Sequence, residues 1–243
     1  LPLTELKAAL SEKGILRDKE GYRAKQLYEW LHKKQVNAYD AMSNLPKAFR
    51  EACEREFSLS VARLVEEQTS RLDGTKKFLF ALEENVSAAR EADDAMRGDA
   101  LPGASHAKEE TLPATSAKEE TLPAAYVKGE PPDLVESVFM HYRHGNSVCI
   151  SSQVGCRMGC TFCASTVNGL SRDLLAGEML AQVYAIGRLT GERVSNVVVM
   201  GMGEPLDNYG NLLRFIRMLT DENGARISAR NLTVSTCGLV PRI

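Results

Sequence analysis

The chain has 243 residues, of which 44% are hydrophobic and 26% charged, and its formal net charge at pH 7 is −2. This length suffices for one large domain, or for one domain with a smaller one attached. The charge balance lacks the strong basic excess typical of many nucleic-acid-binding proteins. No apolar run approaches membrane-spanning length, and residues 1–10 lack the pattern of a secretion signal. We therefore expect a cytoplasmic protein, in whose reducing compartment clustered cysteines indicate metal or catalytic sites rather than disulfides.

Residues 1–60 are predicted to form a small helical domain. Apolar residues recur there at helical spacing: Leu3, Leu6, Leu10, Ala24, Leu27, Tyr28 and Leu31. A short apolar run at 77–82, just after an Asp-Gly turn signal, predicts a strand, and residues 134–142 predict a second one. These two strands predict a hairpin extension made of residues 61–86 and 134–145.

The segment 87–133 differs from the rest of the chain. It holds five basic and ten acidic residues and is rich in Ala, Glu and Pro. The sequence Ala-Lys-Glu-Glu-Thr-Leu-Pro-Ala occurs twice, at 107–114 and 117–124. This composition predicts a disordered acidic insertion. A hairpin tip tolerates such an insertion because each doubling of loop length costs only about 0.6 kcal/mol.

From residue 146 onward, strands alternate with helices. Strands are predicted at 147–152, 197–200 and 232–236, and helices at 173–189 and 209–219. This order predicts parallel strands with right-handed crossovers in an α/β fold. Sites in such folds lie at the carboxyl ends of the strands. The cysteine loop, residues 201–204 and residues 235–236 all follow strand ends, so we expect them to meet.

Cys156, Cys160 and Cys163 have a C-x-x-x-C-x-x-C spacing. Three thiolates can hold a [4Fe–4S] cluster and leave one iron open. That iron would take the amino and carboxylate groups of S-adenosylmethionine (SAM), whose one-electron cleavage releases a 5′-deoxyadenosyl radical. The alternatives are a structural zinc site completed by Cys149 or another ligand, and an electron-transfer cluster with a fourth ligand.

The run Gly-Met-Gly-Glu-Pro at 201–205 follows a predicted buried strand. Glycines there let the backbone approach a ligand, and Glu204 can accept a hydrogen bond from an ammonium group. The alternative is a plain turn, but the nearby cysteines favour SAM binding. Ser235 could bind the ribose or carboxylate of SAM, or cap the following helix.

Several segments together resemble one family, the RlmN-type dual-specificity RNA methyltransferases with the related Cfr enzymes. The matching segments are 145–168, which includes the three cysteines, 201–206, 233–241 and, near the amino terminus, 22–31. The resemblance implies that residues 146–243 form the first half of a partial (β/α)6 radical SAM barrel. It further implies that residues 1–60 recognise RNA, and that the cofactors are a [4Fe–4S] cluster and SAM.

The resemblance also implies a reaction. This family methylates C2 of an adenine in 23S rRNA at the peptidyl-transferase centre, and C2 of the adenine beside the anticodon in tRNAs. One SAM methylates an enzyme cysteine, a second SAM yields the radical that activates this methyl group, and a second cysteine resolves the adduct with adenine. An electron donor such as flavodoxin or ferredoxin, a disulfide bond and a monomeric state are also implied.

Individual residues match family positions. Cys149 corresponds to the resolving cysteine and Glu136 to the proton acceptor, while Gly203, Glu204 and Ser235 correspond to SAM-binding positions. From the sequence pattern alone, we would interpret Cys149 as a buried cysteine of a strand and Glu136 as a solvent-exposed glutamate.

No residue matches the methyl-carrying cysteine, and Cys237 does not correspond to it. We therefore expect that this chain can hold a cluster but does not complete methylation by itself. Two further alternatives are methylation at C8, as in Cfr enzymes, and an inactive fragment or metal-binding protein without methyltransferase activity.

Overall fold

The computed structural model describes residues 1–17, 20–59, 61–82 and 133–243. The predicted acidic insertion at 87–133 lies outside these ranges, apart from Asp133. The described residues all belong to one packed unit. None of their helices is long and apolar enough to cross a membrane.

The first part of the chain is helical. Its helices are α1 (Leu3–Glu12), α2 (Gly21–Tyr28) and α3 (Lys47–Glu56), and α2 continues into a π-helical turn at Glu29–Lys33. A separate core holds these helices together, with Leu10, Leu27, Tyr28, Met42 and Cys53 fully or almost fully buried. The hydrophobic effect of burying these side chains stabilises helices that are too short to be stable alone.

A six-stranded sheet forms the centre of the remaining fold, with strand order β1-β2-β3-β4-β7-β8. Its strands are β1 (Ala62–Thr69), β2 (Lys76–Leu82), β3 (Leu134–Met140), β4 (Asn146–Ile150), β7 (Val194–Val199) and β8 (Leu232–Val234). Strands β1 to β4 pair antiparallel, whereas β4, β7 and β8 pair parallel. A second, two-stranded sheet contains β5 (Gln153–Gly155) and β6 (Leu170–Asp173).

Two crossover helices, α4 (Ala176–Thr190) and α5 (Tyr209–Thr220), connect the parallel strands. Alternate strand residues such as Val148, Ile150, Val197 and Val199 are fully buried in the core shared with these helices. Since side chains alternate along a strand, Cys149 lies on the opposite face of the sheet. The predicted parallel α/β order is confirmed.

Two local features differ from the sequence prediction. Helix α4 begins at Ala176 rather than at residue 173, because Asp173 belongs to β6 and pairs with Gln153. The helix start is fixed by Glu178, whose Oε2 accepts a hydrogen bond from the Leu175 backbone N–H at 2.8 Å. Strand β1 was not predicted, since most of its side chains are exposed at the edge of the sheet.

The helical part packs directly against the α/β part. The Tyr28 hydroxyl donates to Asp221 Oδ2 at 3.2 Å, and His32 Nδ1 lies 3.1 Å from the Tyr184 hydroxyl on α4. The rings of Tyr28 and His32 lie 4.3 Å apart between centroids. A buried polar and aromatic contact therefore joins the two parts.

Candidate functional site

The ends of three parallel strands meet at one edge of the sheet, as the strand order predicts. The Gly201 N–H donates to Ile150 O at 2.9 Å, and the Ser235 N–H donates to Val199 O at 3.0 Å. The Ser152 N–H donates to Met202 O at 2.9 Å. These backbone bonds hold the turns that follow β4, β7 and β8 side by side.

The cysteine loop begins directly after β5. Its two ends are joined because the Cys156 N–H donates to Gly169 O at 2.9 Å. Gly155, with a φ of +76°, permits this close approach, since a Cβ there would lie 2.0 Å from that same oxygen. Within the loop, the Cys163 N–H donates to Cys160 O at 3.0 Å. The loop is thus a closed turn that carries all three cysteines.

The three cysteines have free thiols that lie near enough to one another to interact electrostatically. Burial raises the pKa of Cys156, and the nearby charges of Cys163, Cys160 and Glu204 raise it further. Crowded thiolates of this kind are stabilised by binding a cationic iron centre. All six cysteines of the chain lie within the described ranges and are free, so no disulfide joins any two of them in this structure.

The arrangement of the three cysteines can be compared with the ligand sets of metal ions and clusters. Among the described residues, no three His, Cys, Asp or Glu side chains lie close enough together to bind one metal ion. The cysteines of a [4Fe–4S] cluster each bind a different iron, so they need not converge on a single ion. Three thiols on one closed loop fit the three cysteine ligands that such a cluster requires.

Glu204 lies at the meeting point of the strand ends and is only 3% exposed. Its Oε1 accepts from the Leu206 N–H at 2.9 Å, and its Oε2 accepts from the Cys237 N–H at 2.7 Å. The carboxylate therefore ties the turn after β7 to the turn after β8. The Cys237 thiol also hydrogen-bonds to this carboxylate. Because an ionised carboxylate has about four acceptor positions, about one remains for a ligand ammonium group.

Gly203 and Ser235 flank this carboxylate. Gly203 has a φ of +98°, and a Cβ there would lie 2.5 Å from the Cβ of Gln153, so glycine is required. Ser235 is half-buried directly after β8. Both residues thus stand beside Glu204, where the sequence analysis placed the SAM-binding positions.

Glu136 and Cys149 lie on neighbouring strands of the main sheet. Val138 of β3 is the pairing partner of Cys149, so Glu136, two residues earlier, is a diagonal neighbour on the same face. Glu136 Oε1 accepts from Lys77 Nζ at 2.8 Å, in a pair with both side chains partly exposed. Burial raises the pKa of Cys149, partly offset by a backbone hydrogen bond from Met200.

A buried polar network beneath the site was not predicted from the sequence. Gln153 is fully buried, and its Oε1 accepts from the Glu204 N–H at 2.8 Å. Gln182, also fully buried, accepts from the Ser151 N–H at 2.9 Å and donates to Ser151 O at 3.0 Å. The polar run at 151–153, at the end of a buried strand, was the available signal, because buried polar groups require partners.

Two family models match parts of the chain. Residues 4–58 match the family model described as the ribosomal RNA large subunit methyltransferase N-terminal domain. Residues 150–243 match the radical SAM superfamily model.

Curated relatives match along the whole chain. A probable dual-specificity RNA methyltransferase RlmN of Lachnoclostridium phytofermentans is 45% identical over 243 residues, which is 100% of this chain and 54% of the relative. The protein of the same name from Bacillus pumilus is 39% identical, over 99% of this chain and 53% of the relative. The chain therefore spans about half the length of the curated relatives that it matches.

A solved structure matches as well. The crystal structure of a radical SAM methyltransferase from Sphaerobacter thermophilus superposes with a TM-score of 0.73 at 34% identity, covering 99% of this chain and 57% of that one. Its similarity confirms the predicted fold, the amino-terminal part of a partial radical SAM barrel.

The chain is a protein of the radical SAM superfamily, as indicated by the matched model, the parallel strand ends and the cysteine loop. Proteins of this kind use a [4Fe–4S] cluster and SAM, and the free thiols and Glu204 turn described above fit both. Within the superfamily, the chain is similar along its whole length to RlmN-type RNA methyltransferases.

Proposed function

We infer that this chain carries the cluster-binding and SAM-binding part of an enzyme that methylates C2 of adenine. The proposed substrates are 23S rRNA, at the peptidyl-transferase centre, and tRNAs, at the adenine beside the anticodon. The observation that carries this proposal is the meeting of the cysteine loop, the Glu204 turn and the turn after β8 at one edge of the sheet. The names of the matched relatives support RNA as the substrate class.

In this proposal, Cys156, Cys160 and Cys163 hold the cluster, while Gly203, Glu204 and Ser235 hold SAM. Bound together, these cofactors supply the one-electron chemistry that generates a carbon radical. The protein's part is to orient them. The required glycine at 203 lets the backbone pass close to a ligand. The Glu204 carboxylate, fixed by two backbone N–H groups and the Cys237 thiol, keeps an acceptor position for an ammonium group.

Cys149 is proposed as the cysteine that resolves the adduct with adenine, with Glu136 as the proton acceptor. Because burial raises the pKa of Cys149, its thiol is mainly neutral near pH 7, and its reaction requires loss of a proton. Glu136 lies on the same face of the sheet, and the ion pair with Lys77 fixes its carboxylate. The placement of both residues on one face of neighbouring strands supports these two roles.

The partners are proposed from the family. Residues 1–60 would contact RNA, a flavodoxin or ferredoxin would donate the electron, and the protein would act as a cytoplasmic monomer. The helical part has a hydrophobic core distinct from that of the sheet, which supports a separate recognition role for the first part of the chain.

Cluster and SAM binding can be tested directly on the purified chain. After anaerobic reconstitution with iron and sulfide, we expect about four irons per chain and an electron paramagnetic resonance (EPR) signal on reduction that changes when SAM is added. Cys160→Ala should lose this signal, whereas the control Cys53→Ala, in the core of the helical part, should keep it. A protein that binds zinc but gives no such signal would refute the proposal.

Regiochemistry requires a cellular measurement. Nucleosides from 23S rRNA and tRNA of source cells, with the gene intact or disrupted, are separated by mass spectrometry against both isomer standards. Loss of 2-methyladenosine on disruption supports the proposal. Loss of 8-methyladenosine would instead indicate a Cfr-type reaction, and no change in either would favour a cluster-binding protein without methyltransferase activity.

A further inference from the structure

Arg157, the residue directly after the first cysteine, reaches across to the turn after β7. Its Nε donates to Asp207 Oδ2 at 2.8 Å, and its Nη2 donates to Asp207 Oδ1. This two-point contact is the strongest arrangement of a guanidinium and a carboxylate. The Asp207 side chain is only 10% exposed, whereas the Arg157 side chain is 62% exposed, so solvent screens the pair from the arginine side.

The cysteine loop has few other anchors. Among the described residues, Arg157 makes the side-chain hydrogen bonds that join residues 157–168 to another element. The large apolar side chains of the loop do not anchor it by burial, since Phe162 is 91% exposed and Val167 is 80% exposed. The position of the loop therefore depends on its closed ends and on the contact with Asp207.

The same carboxylate is connected to the Glu204 turn. Asp207 Oδ2 also accepts from Gln153 Nε2 at 3.1 Å, and Gln153 Oε1 accepts from the Glu204 N–H at 2.8 Å. The Asp207 N–H in turn donates to Glu204 O at 3.0 Å. A continuous set of hydrogen bonds thus links the cysteine loop, through Asp207 and Gln153, to the backbone of Glu204.

We propose that Arg157 and Asp207 form a clamp that positions the cysteine loop against the Glu204 turn. The clamp thereby holds a cluster on the loop next to SAM bound at that turn. The inference rests on the proposed cluster and SAM binding, which it deepens. Neither residue touches a reacting atom, and both are positioning residues. The clamp slows loss of the cluster and couples the cluster to SAM.

The first test uses the cluster-free protein, so that it does not depend on cofactor binding. Amide hydrogen exchange is followed by mass spectrometry in peptides that cover residues 156–169, whose amides include those of Cys156 and Cys163. Arg157→Gln and Asp207→Asn are each expected to exchange at least about fivefold faster there, the equivalent of about 1 kcal/mol. Arg71→Gln, an exposed arginine in the β1–β2 turn, is the matched control and should behave as wild type.

The second test uses the reconstituted protein. The rate of iron loss to a chelator should follow the order wild type, Arg157→Lys, Arg157→Gln, because lysine can replace only one of the two hydrogen bonds. The double variant Arg157→Gln with Asp207→Asn should lose iron no faster than the faster of the two single variants, since both substitutions break the same contact. Arg157→Gln should need a higher SAM concentration than wild type to reach the same EPR change. If the melting temperature of the variant is normal, general destabilisation of the fold does not explain this difference.

The two proposals fail in different ways. Wild-type protein that takes up no cluster would refute the proposed function, while hydrogen exchange would still decide whether the clamp exists. Protein that takes up the cluster, but whose Arg157→Gln variant matches the Arg71→Gln control in exchange and iron loss, would refute the clamp. Independent, multiplying effects of the two single variants would refute it as well.

Discussion

Lowering the pH from 7 to 5 is expected to destabilise the fold through His32. This imidazole is 7% exposed between the helical part and α4, and burial lowers its pKa from 6.5 to about 3, although Asp221 opposes the shift. In the folded protein it therefore stays neutral at pH 5, whereas in the unfolded chain it gains a proton below about pH 6.5. The unfolded state then binds more protons, so the free energy of unfolding decreases as the pH falls toward 3.

The magnitude follows from the two pKa values. Between pH 7 and pH 5, protonation of the unfolded imidazole lowers the free energy of unfolding by about 2 kcal/mol. Urea titrations followed by circular dichroism at pH 5, 6 and 7 measure this decrease. His32→Gln should remove that part of the pH dependence, while the exposed His144→Gln should retain it. An equal pH dependence in wild type and His32→Gln would show that the reasoning is wrong.

Three further predictions concern stability and can be measured by chemical denaturation. Gly203→Ala should lower the free energy of unfolding by more than about 1 kcal/mol, because the new Cβ would meet a buried side chain at 2.5 Å; Gly210→Ala, in a helix with open space around it, should be neutral or stabilising. Gln182→Leu should cost at least about 2 kcal/mol, since it leaves the buried backbone N–H and C=O of Ser151, directly after β4, without partners. Arg172→Met should cost about 3–5 kcal/mol by stranding the carboxylate of Glu178, which is 1% exposed, and the double change with Glu178→Leu should recover much of that loss.

The sequence predicted the parts of the fold that depend on hydrophobic periodicity. The runs at 197–200 and 209–219 have one clear buried face, and the structure places β7 and α5 there. Strand β1 lacked this signal because it is stabilised by pairing with β2 rather than by burial of its own side chains. Short pairings such as β5 with β6 depend on residues about 20 positions apart, which periodicity cannot detect.

For the candidate site, the sequence predicted the loops but not the hydrogen bonds that hold them. The spacing of the three cysteines and the glycines at 201 and 203 identified the loops, because these residue types have specific chemical or backbone requirements. The roles of Gln153 and Asp207 could not be predicted, since their partners lie about 50 residues away in the sequence. A glutamine alone gives no indication of whether it is solvated or buried, and only the assembled fold supplies its partners.

The segment between Leu82 and Asp133 leaves and re-enters the sheet at one point. The Leu82 N–H donates to Asp133 O at 2.9 Å, and Arg172, which also holds the buried Glu178, binds the Asp133 side chain. Both attachment points are thus fixed by the sheet itself. The register of β2 and β3 is therefore set by residues on either side of positions 83–132, so that changes of length within that segment can be monitored by the exchange of the β2 and β3 amides.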